Sequence, residues 1–373
     1  MKRVLGLINL FEHEELLREL TQNRPLAAIP FAGRYRVIDF ILSNMVNSGI
    51  RNVGMLAYAN FRSLMDHLRS AKEWDLARKG NGLFILPSNQ APGRFRAGEG
   101  DIEQMYAHFD YFKRSKEQYV LLAGSAMVAS IRFDGMLDFH RQTGADVTVL
   151  YQPGCRLEGR DYRHCNFIRT EADGRISDVA VSCDPGRQHQ LSMRMYLLER
   201  KLFMDIIERC MIKGERDFVK DGLIRNFGQL KFYGYPFDGH VAVINSVYGY
   251  YHHSLSLLQP AIRQSLFPRD NPVYTKIKDE SPANYRLGAK TSNSLVANGC
   301  VIEGTVENSI LFRGVHVQPG AVVKNCVVMQ KCEIGAGAAL DTVICDKDVR
   351  IGPGRAIKGE TAYPIIIRKG SVI

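Results

Sequence analysis

Residues 315–329 read V-H-V-Q-P-G-A-V-V-K-N-C-V-V-M, and their spacing of aliphatic residues and glycine returns in 332–345, C-E-I-G-A-G-A-A-L-D-T-V-I-C. Three series of positions repeat every 17 residues: Val315, Cys332 and Val349; Val317, Ile334 and Ile351; Gly320, Gly337 and Gly354. A period near three hexapeptides, with aliphatic side chains inward and glycine at the corners, predicts a triangular, left-handed parallel β-helix of the hexapeptide type. We expect this domain to occupy residues 292–373.

The earlier part of the chain has a different pattern, in which short β-rich runs alternate with longer helical ones. Apolar runs predict buried strands at Val4–Ile8, Val53–Leu56, Tyr119–Leu122, Asp146–Leu150 and Leu230–Tyr235. Helices are predicted at Phe40–Asn47, Ser63–Ser70, Glu103–Arg114, Phe133–Thr143 and Leu197–Lys213. The alternation indicates a Rossmann-like α/β domain with a mostly parallel sheet over residues 1–258. The proline-rich segment 259–291 is interpreted as a linker.

Composition restricts the classes of partner. The net charge of +10 favours anions such as phosphates and nucleotides, but the basic residues are scattered, so we do not expect nucleic acid binding. No run of eighteen apolar residues and no signal peptide pattern occurs, so no membrane partner is expected. Eight cysteines without a C-x-x-C pair indicate reduced thiols in a cytoplasmic protein and no zinc site.

A longer motif connects the chain to a known family. Residues 24–50 read R-P-L-A-A-I-P-F-A-G-R-Y-R-V-I-D-F-I-L-S-N-M-V-N-S-G-I, and this stretch resembles bacterial ADP-glucose pyrophosphorylase (glucose-1-phosphate adenylyltransferase). The resemblance is closest to the second, GlgD-type subunit of that family. Further counterparts lie at Glu73–Arg78, Gly135–His140, Tyr235–Gly239 and Gly304–Phe312, so it runs along nearly the whole chain.

The resemblance implies a reaction in which a phosphate oxygen of glucose 1-phosphate attacks the α-phosphorus of ATP, releasing pyrophosphate and ADP-glucose for glycogen synthesis. Negative charge builds on the phosphorus and on the pyrophosphate. A catalytic chain therefore needs Mg²⁺, basic side chains and backbone N–H groups directed at that charge.

The triphosphate-binding parts of the family are altered in this chain. A catalytic member follows its first strand with a glycine-rich turn, whereas this chain carries Glu12, Glu14 and Glu15, whose carboxylates repel a triphosphate. The lysine that the family places before its P-F-G-G-R stretch corresponds to Leu26. Arg24 could replace that lysine only after a shift of two positions.

The metal and sugar positions are altered as well. The Mg²⁺-binding aspartate that follows the family's Gly is Ser125 here, and the second metal aspartate corresponds to Val243. In the family's Ser-Met-Gly-Ile-Tyr stretch the glycine is Arg194, and the Glu-Lys-Pro that grips the sugar phosphate is absent from Asp178–Pro185. We therefore predict no catalytic residues, no metal site and no cofactor, the Mg²⁺ site being lost.

One functional site of the family is retained in sequence. Arg34 and Arg36 stand in A-G-R-Y-R, which in the family contributes to an allosteric anion site, and guanidinium groups suit phosphate. We predict an effector site there for a sugar phosphate, a nucleotide or an inorganic anion. The alternative is that both arginines only pair with Asp39 or with surface acids. A second basic pair, Arg94 and Arg96, lies in a Gly/Pro-rich loop and is interpreted as surface.

The resemblance and the altered positions together predict a non-catalytic, regulatory subunit. We expect it to assemble with the catalytic pyrophosphorylase subunit, into a heterotetramer, and to modulate that subunit's activity; the chain alone would form at most a homo-oligomer. Two alternatives are a weakly active adenylyltransferase and, more remotely, a β-helix acyltransferase that uses His316 as base.

Overall fold

The computed structural model describes residues 1, 3–12, 14–58, 60–88, 100–154, 165–180 and 190–373. Their contacts divide the chain into two compact units. The first unit consists of residues 1–13, 40–241 and 269–274, and the second of residues 14–39, 242–268 and 275–373. Segments from the beginning and the middle of the chain thus belong to the same unit as the C-terminal repeats.

The strands up to residue 243 are β1 (Val4–Asn9), β2 (Pro30–Phe31), β3 (Tyr35–Arg36), β4 (Asn52–Ala57), β5 (Leu83–Pro87), β6 (Tyr119–Ala123), β7 (Met127–Val128), β8 (Val147–Gln152), β9 (Phe167–Thr170), β10 (Ile176–Ala180), β11 (Gln190–Glu199), β12 (Phe232–Pro236) and β13 (Ala242–Val243). The α-helices are α1 (Arg18–Thr21), α2 (Val37–Asn47), α3 (Arg62–Leu68), α4 (Asp101–Ala107), α5 (Phe109–Arg114), α6 (Asp134–Thr143), α7 (Arg200–Lys213), α8 (Val247–Ser256) and α9 (Pro260–Leu266).

The first unit is built on one sheet with the strand order β10-β9-β11-β6-β1-β4-β5, and β8 pairs with both β11 and β12. Strands β5, β4, β1 and β6 run parallel, whereas β11 runs antiparallel to its neighbours. Leu7 faces Leu122 across the central pair and both are buried, as expected for a sheet covered on both faces. The predicted α/β domain is confirmed.

Two predicted helices are wrong in their bounds. The predicted helix Glu103–Arg114 is two helices, α4 and α5, because His108 leaves the helical conformation at φ −107° and ψ 22°. The predicted helix Leu197–Lys213 begins only at Arg200, since Leu197 and Leu198 pair with β6 and lie in the buried core. An apolar run that continues from a strand into a helix does not show by itself where one ends.

The repeats form a parallel β-helix, and its strands are β14 (Asn284–Tyr285), β15 (Lys290–Ser292), β16 (Leu295–Val296), β17 (Val301–Ile302), β18 (Thr305–Glu307), β19 (Ile310–Leu311), β20 (His316–Val317), β21 (Val322–Lys324), β22 (Val327–Val328), β23 (Glu333–Ile334), β24 (Ala339–Asp341), β25 (Val343–Cys345), β26 (Arg350–Ile351), β27 (Ala356–Lys358) and β28 (Ile365–Ile367). They make three five-stranded sheets, each taking every third strand. This is the predicted left-handed, hexapeptide-type β-helix.

The 17-residue period of the sequence is the spacing between residues that pair on neighbouring strands of these sheets. Val317 pairs with Ile334, which pairs with Ile351, and all three are buried in the β-helix core. Gly320 and Gly337 have φ angles of 72° and 68°, a left-handed conformation that glycine adopts without steric cost. No helix of the described residues is long and apolar enough to cross a membrane.

Candidate functional site

The carboxyl ends of β1 and β6 lie side by side in the first unit. The two strands are parallel neighbours, with Ile8 opposite Ala123. The segments that follow them, which carry Glu12 and Ser125, therefore meet at the edge of the sheet where α/β proteins bind ligands. This edge is where the family resemblance would locate Mg²⁺ and the triphosphate.

The carboxylate of Glu12 fills this position. Its Oε1 accepts hydrogen bonds from the backbone N–H groups of Ser125 (2.6 Å) and Ala126 (2.7 Å), and its Oε2 accepts one from the Ser125 hydroxyl (2.5 Å). Burial raises the pKa of Glu12, and these hydrogen bonds together with the charge of Arg194 oppose that rise. Charge-assisted bonds of this kind are among the stronger ones in proteins.

Arg194, at the position where the resemblance puts a glycine, has a left-handed backbone conformation. Its φ is +55°, and the register between β11 and β8 shifts between Ser192 and Met195, which flank it. An L-residue in this conformation costs roughly 1 kcal/mol. The charged end of its side chain lies close enough to Glu12 to favour the ionised carboxylate. From the sequence, the Arg194 side chain either fills the sugar-phosphate pocket or recruits an anion. In the structure its charge acts on the carboxylate of Glu12.

These residues do not fit a Mg²⁺ ion. The ion prefers carboxylate oxygens, but both oxygens of Glu12 already accept from protein donors, and the Ser125 hydroxyl donates to that carboxylate. Val243, which belongs to the second unit, is 4% exposed, and its side chain has no ligating atom. Among the described residues, no group of three or more His, Cys, Asp or Glu side chains could hold a metal.

The other residues of the altered nucleotide segment belong to the second unit and are used in its own structure. Glu14 Oε1 accepts from the backbone N–H of Leu26 (2.6 Å), at the start of the short 3₁₀ helix Leu26–Ala28. Arg24 is buried and pairs with Asp346 of the β-helix (Nη2–Oδ2 2.5 Å), while its Nε donates to the Leu20 carbonyl. The Arg24 guanidinium is therefore used in an ion pair within the second unit.

A second buried carboxylate near the end of β1 was not found from the sequence. Asp101, the first residue of α4, accepts from Asn9 Nδ2 (2.6 Å) and from the backbone N–H of Phe218 (2.7 Å). Burial, and after it the charge of Asp217, raises the pKa of Asp101 to about 7. The only sequence signal was an acid opening a helix after a glycine, which is usual for any N-terminal turn.

The predicted effector residues lie on the hairpin of β2 and β3 in the second unit. Burial is the main reason that the pKa values of Lys278 and Arg313 are lowered, and nearby positive charges add to it: Arg313 and Arg36 for Lys278, and Arg34 for Arg313. Cations distant in sequence thus share one positive field. Burial, and then Arg36 and Arg24, lowers the pKa of Lys347 to about 7. We call the side chains of this field the basic cluster; its members are Arg24, Arg34, Arg36, Lys278, Arg313 and Lys347.

Acidic side chains also border the basic cluster. Asp39 accepts from the backbone N–H of Arg36, Asp346 pairs with Arg24, and Glu280 faces Arg313 and Lys278. The cluster as a whole is a candidate anion site.

His316, the candidate base of the acyltransferase alternative, lies in an ionic group on the β-helix. His316 Nε2 lies 2.8 Å from Glu303 Oε2, and Arg286 donates to the other oxygen of the same carboxylate (2.9 Å), so this histidine is part of an ionic group on the β-helix. Arg94 and Arg96 lie outside the described residues, as does the 181–185 part of the segment from which the family's Glu-Lys-Pro is absent.

Comparison with known proteins agrees with both units. Residues 15–219 match the nucleotidyl transferase family, and residues 281–362 match the family described as GlmU-like, C-terminal hexapeptide. The glycogen biosynthesis protein GlgD of Bacillus subtilis (strain 168) is 40% identical over 370 residues, covering 99% of this chain and 97% of that protein. GlgD of Geobacillus stearothermophilus is 41% identical over 374 residues, again covering 99% and 97%.

A more distant relative carries an enzyme's name. The glucose-1-phosphate adenylyltransferase of Bacillus anthracis is 29% identical over 348 residues, covering 92% of each chain. The chain is thus more similar to the GlgD proteins than to this adenylyltransferase. With both domains matched and identity of 40% along nearly its whole length, the chain belongs to the GlgD family of glycogen biosynthesis proteins, which is related to glucose-1-phosphate adenylyltransferase.

Proposed function

We propose that this chain is a non-catalytic subunit that pairs with the catalytic glucose-1-phosphate adenylyltransferase subunit and modulates its activity in glycogen biosynthesis. The observation that carries the proposal is the Glu12 carboxylate, which takes the N–H groups of Ser125 and Ala126 and the Ser125 hydroxyl at the ligand-binding edge of the sheet. A triphosphate brought to this edge would meet a fixed negative charge.

The chemistry of the related reaction explains why this change removes turnover. Transfer of the adenylyl group needs cations and N–H donors that face the developing negative charge. Here the donors are occupied, and the two metal positions are Ser125 and Val243. Removing one interaction of this kind commonly costs roughly 10²–10³ in rate, so the combined loss would leave no useful activity.

Modulation requires that this chain bind one conformation of its partner more tightly than another. A coupling of about 1–3 kcal/mol would change the partner's affinity for a substrate or effector by roughly 5–150-fold. The basic cluster supplies a place where an anionic effector would add to this coupling. The proposal places the complex in the cytoplasm, where the free cysteines of the described residues, all of them buried, would stay reduced.

The test compares three samples: this chain, the catalytic subunit of the same organism, and the two co-purified. We expect no ADP-glucose from this chain alone, a stable complex in size-exclusion chromatography, and a rate or an effector response in the complex that differs from that of the catalytic subunit. Failure to form the complex would contradict the regulatory role. Mg²⁺-dependent turnover by this chain alone would favour the weakly active adenylyltransferase instead.

A further inference from the structure

The loop after β6 has the construction of an anion-binding site. Two successive backbone N–H groups, of Ser125 and Ala126, and the Ser125 hydroxyl all point to one carboxylate, at donor–acceptor distances of 2.5–2.7 Å. Ser125 itself is 1% exposed, so these donors have no free access to water when the carboxylate is in position. Buried N–H groups without an acceptor are costly, and the loop therefore depends on having an anion in this position.

The shape of the loop is matched to the same carboxylate. A Cβ added at Gly124 would lie 2.7 Å from Glu12 Oε1, closer than a carbon and an oxygen can approach without displacement. Gly124 is not among the residues with a positive φ. Glycine is therefore needed at position 124 because the Glu12 carboxylate approaches closely, and not because the backbone conformation is unusual.

Charge complements the shape. Arg194, held in a left-handed conformation in β11, favours the ionised form of Glu12 by its charge. Glu12 reaches the loop from the segment after β1, 113 positions earlier in the chain. The Glu12 side chain therefore connects the segment after β1 to the loop after β6.

We propose that the Gly124–Ala126 loop is a carboxylate-binding site that Glu12 occupies as an internal ligand, closing the segment after β1 onto the sheet edge. The inference does not depend on a partner subunit. It means that the loop still recognises an anion, and that the anion is one the chain itself provides. Without the Glu12 carboxylate, the site would accept a small carboxylate from solution.

The steric part is tested by a double-mutant cycle. Gly124→Ala is expected to lower the melting temperature of the wild type by on the order of 5 °C, because the methyl group displaces the carboxylate from its donors. In the Glu12→Ala background the same change should cost less than half as much. Gly80→Ala is the matched control, since a Cβ there meets no atom within 4 Å. Equal costs of Gly124→Ala in both backgrounds would overturn the proposal.

The binding part is tested by chemical rescue. Formate should raise the melting temperature of Glu12→Ala saturably, relative to chloride at the same ionic strength, and by more than it raises that of the wild type. The wild type controls for formate bound at the basic cluster. If Glu12→Ala does not fold, Glu12→Ser is used, whose short side chain also leaves the position of the carboxylate empty, and ¹³C-formate binding is followed by NMR. If formate raises the melting temperature of the wild type and of the variant equally, or does not raise that of the variant, Glu12 is not an internal ligand of the loop.

Discussion

The buried ion pair between Arg24 and Asp346 gives the sharpest stability prediction. Both side chains are nearly inaccessible, at 5% and 4% exposure, and they join residues 322 positions apart within the second unit. Breaking a buried pair by removing one partner typically costs about 3–5 kcal/mol, because the other charge stays buried without compensation. We expect both Arg24→Met and Asp346→Asn to fall in this range.

The surroundings predict which change costs more. Without Arg24, Asp346 keeps the backbone N–H of Lys347 (2.6 Å) and the nearby Lys347 ammonium, so the loss should be near the lower limit, about 3 kcal/mol. Without Asp346, Arg24 keeps the Leu20 carbonyl and stays buried in the basic cluster, so Asp346→Asn should cost more.

Denaturant unfolding followed by circular dichroism measures these losses, with calorimetry to show whether the two units unfold together. Lys324→Met is the control, because its pair with Glu307 is exposed (45% and 38%) and should contribute less than about 1 kcal/mol. A loss below about 1 kcal/mol for both Arg24→Met and Asp346→Asn would refute the reasoning, since it would mean that neither charge needs the other.

Three further predictions concern pH, polarity and packing. Since the pKa of Lys347 is lowered to about 7, its ammonium loses its proton as pH rises through that value. Sulfate, a dianion at every pH tested, should therefore bind the wild type more weakly at about pH 8 than at about pH 6 in isothermal titration. The affinity of Lys347→Met for sulfate should not change between these pH values. Asp101→Asn should destabilise the first unit by about 1–3 kcal/mol in thermal unfolding, because its new amide group would face the amide group of Asn9. The double variant Asn9→Asp with Asp101→Asn restores a carboxylate opposite an amide and should recover part of this loss. Gly6→Ala should cost about 1–3 kcal/mol in the same assay, since a Cβ there would lie 2.7 Å from Met45 Sδ in the core; no loss would mean that the core yields at this point.

The β-helix could be predicted from the sequence because its period is imposed by stacking. Each coil packs on the next, so the Val317, Ile334 and Ile351 positions must recur in register. The alternating strands and helices of the first unit were predictable for a similar local reason. The start of α7 was not, because Leu197 and Leu198 are apolar in either conformation and only their pairing with β6 shows that they are strand.

The candidate site was predictable only as a set of missing parts. The sequence showed Glu12 and Ser125 in place of a phosphate cradle and a metal ligand. It could not show that the two residues bind each other, since the contact depends on β1 and β6 being neighbours in the sheet. The same limit applies to Lys347, which enters the basic cluster only when the β-helix and the segment 14–39 fold together.

The most direct test of the central claim is calorimetric titration of the isolated chain with ATP and Mg²⁺. We expect no ATP binding at the Glu12 site, so that any binding of ATP at the basic cluster, with or without Mg²⁺, is the same in the wild type and in Ser125→Ala. Binding that requires Mg²⁺ and is lost in Ser125→Ala would contradict the account, because it would show that Glu12 gives way to a nucleotide and that the site still holds a metal.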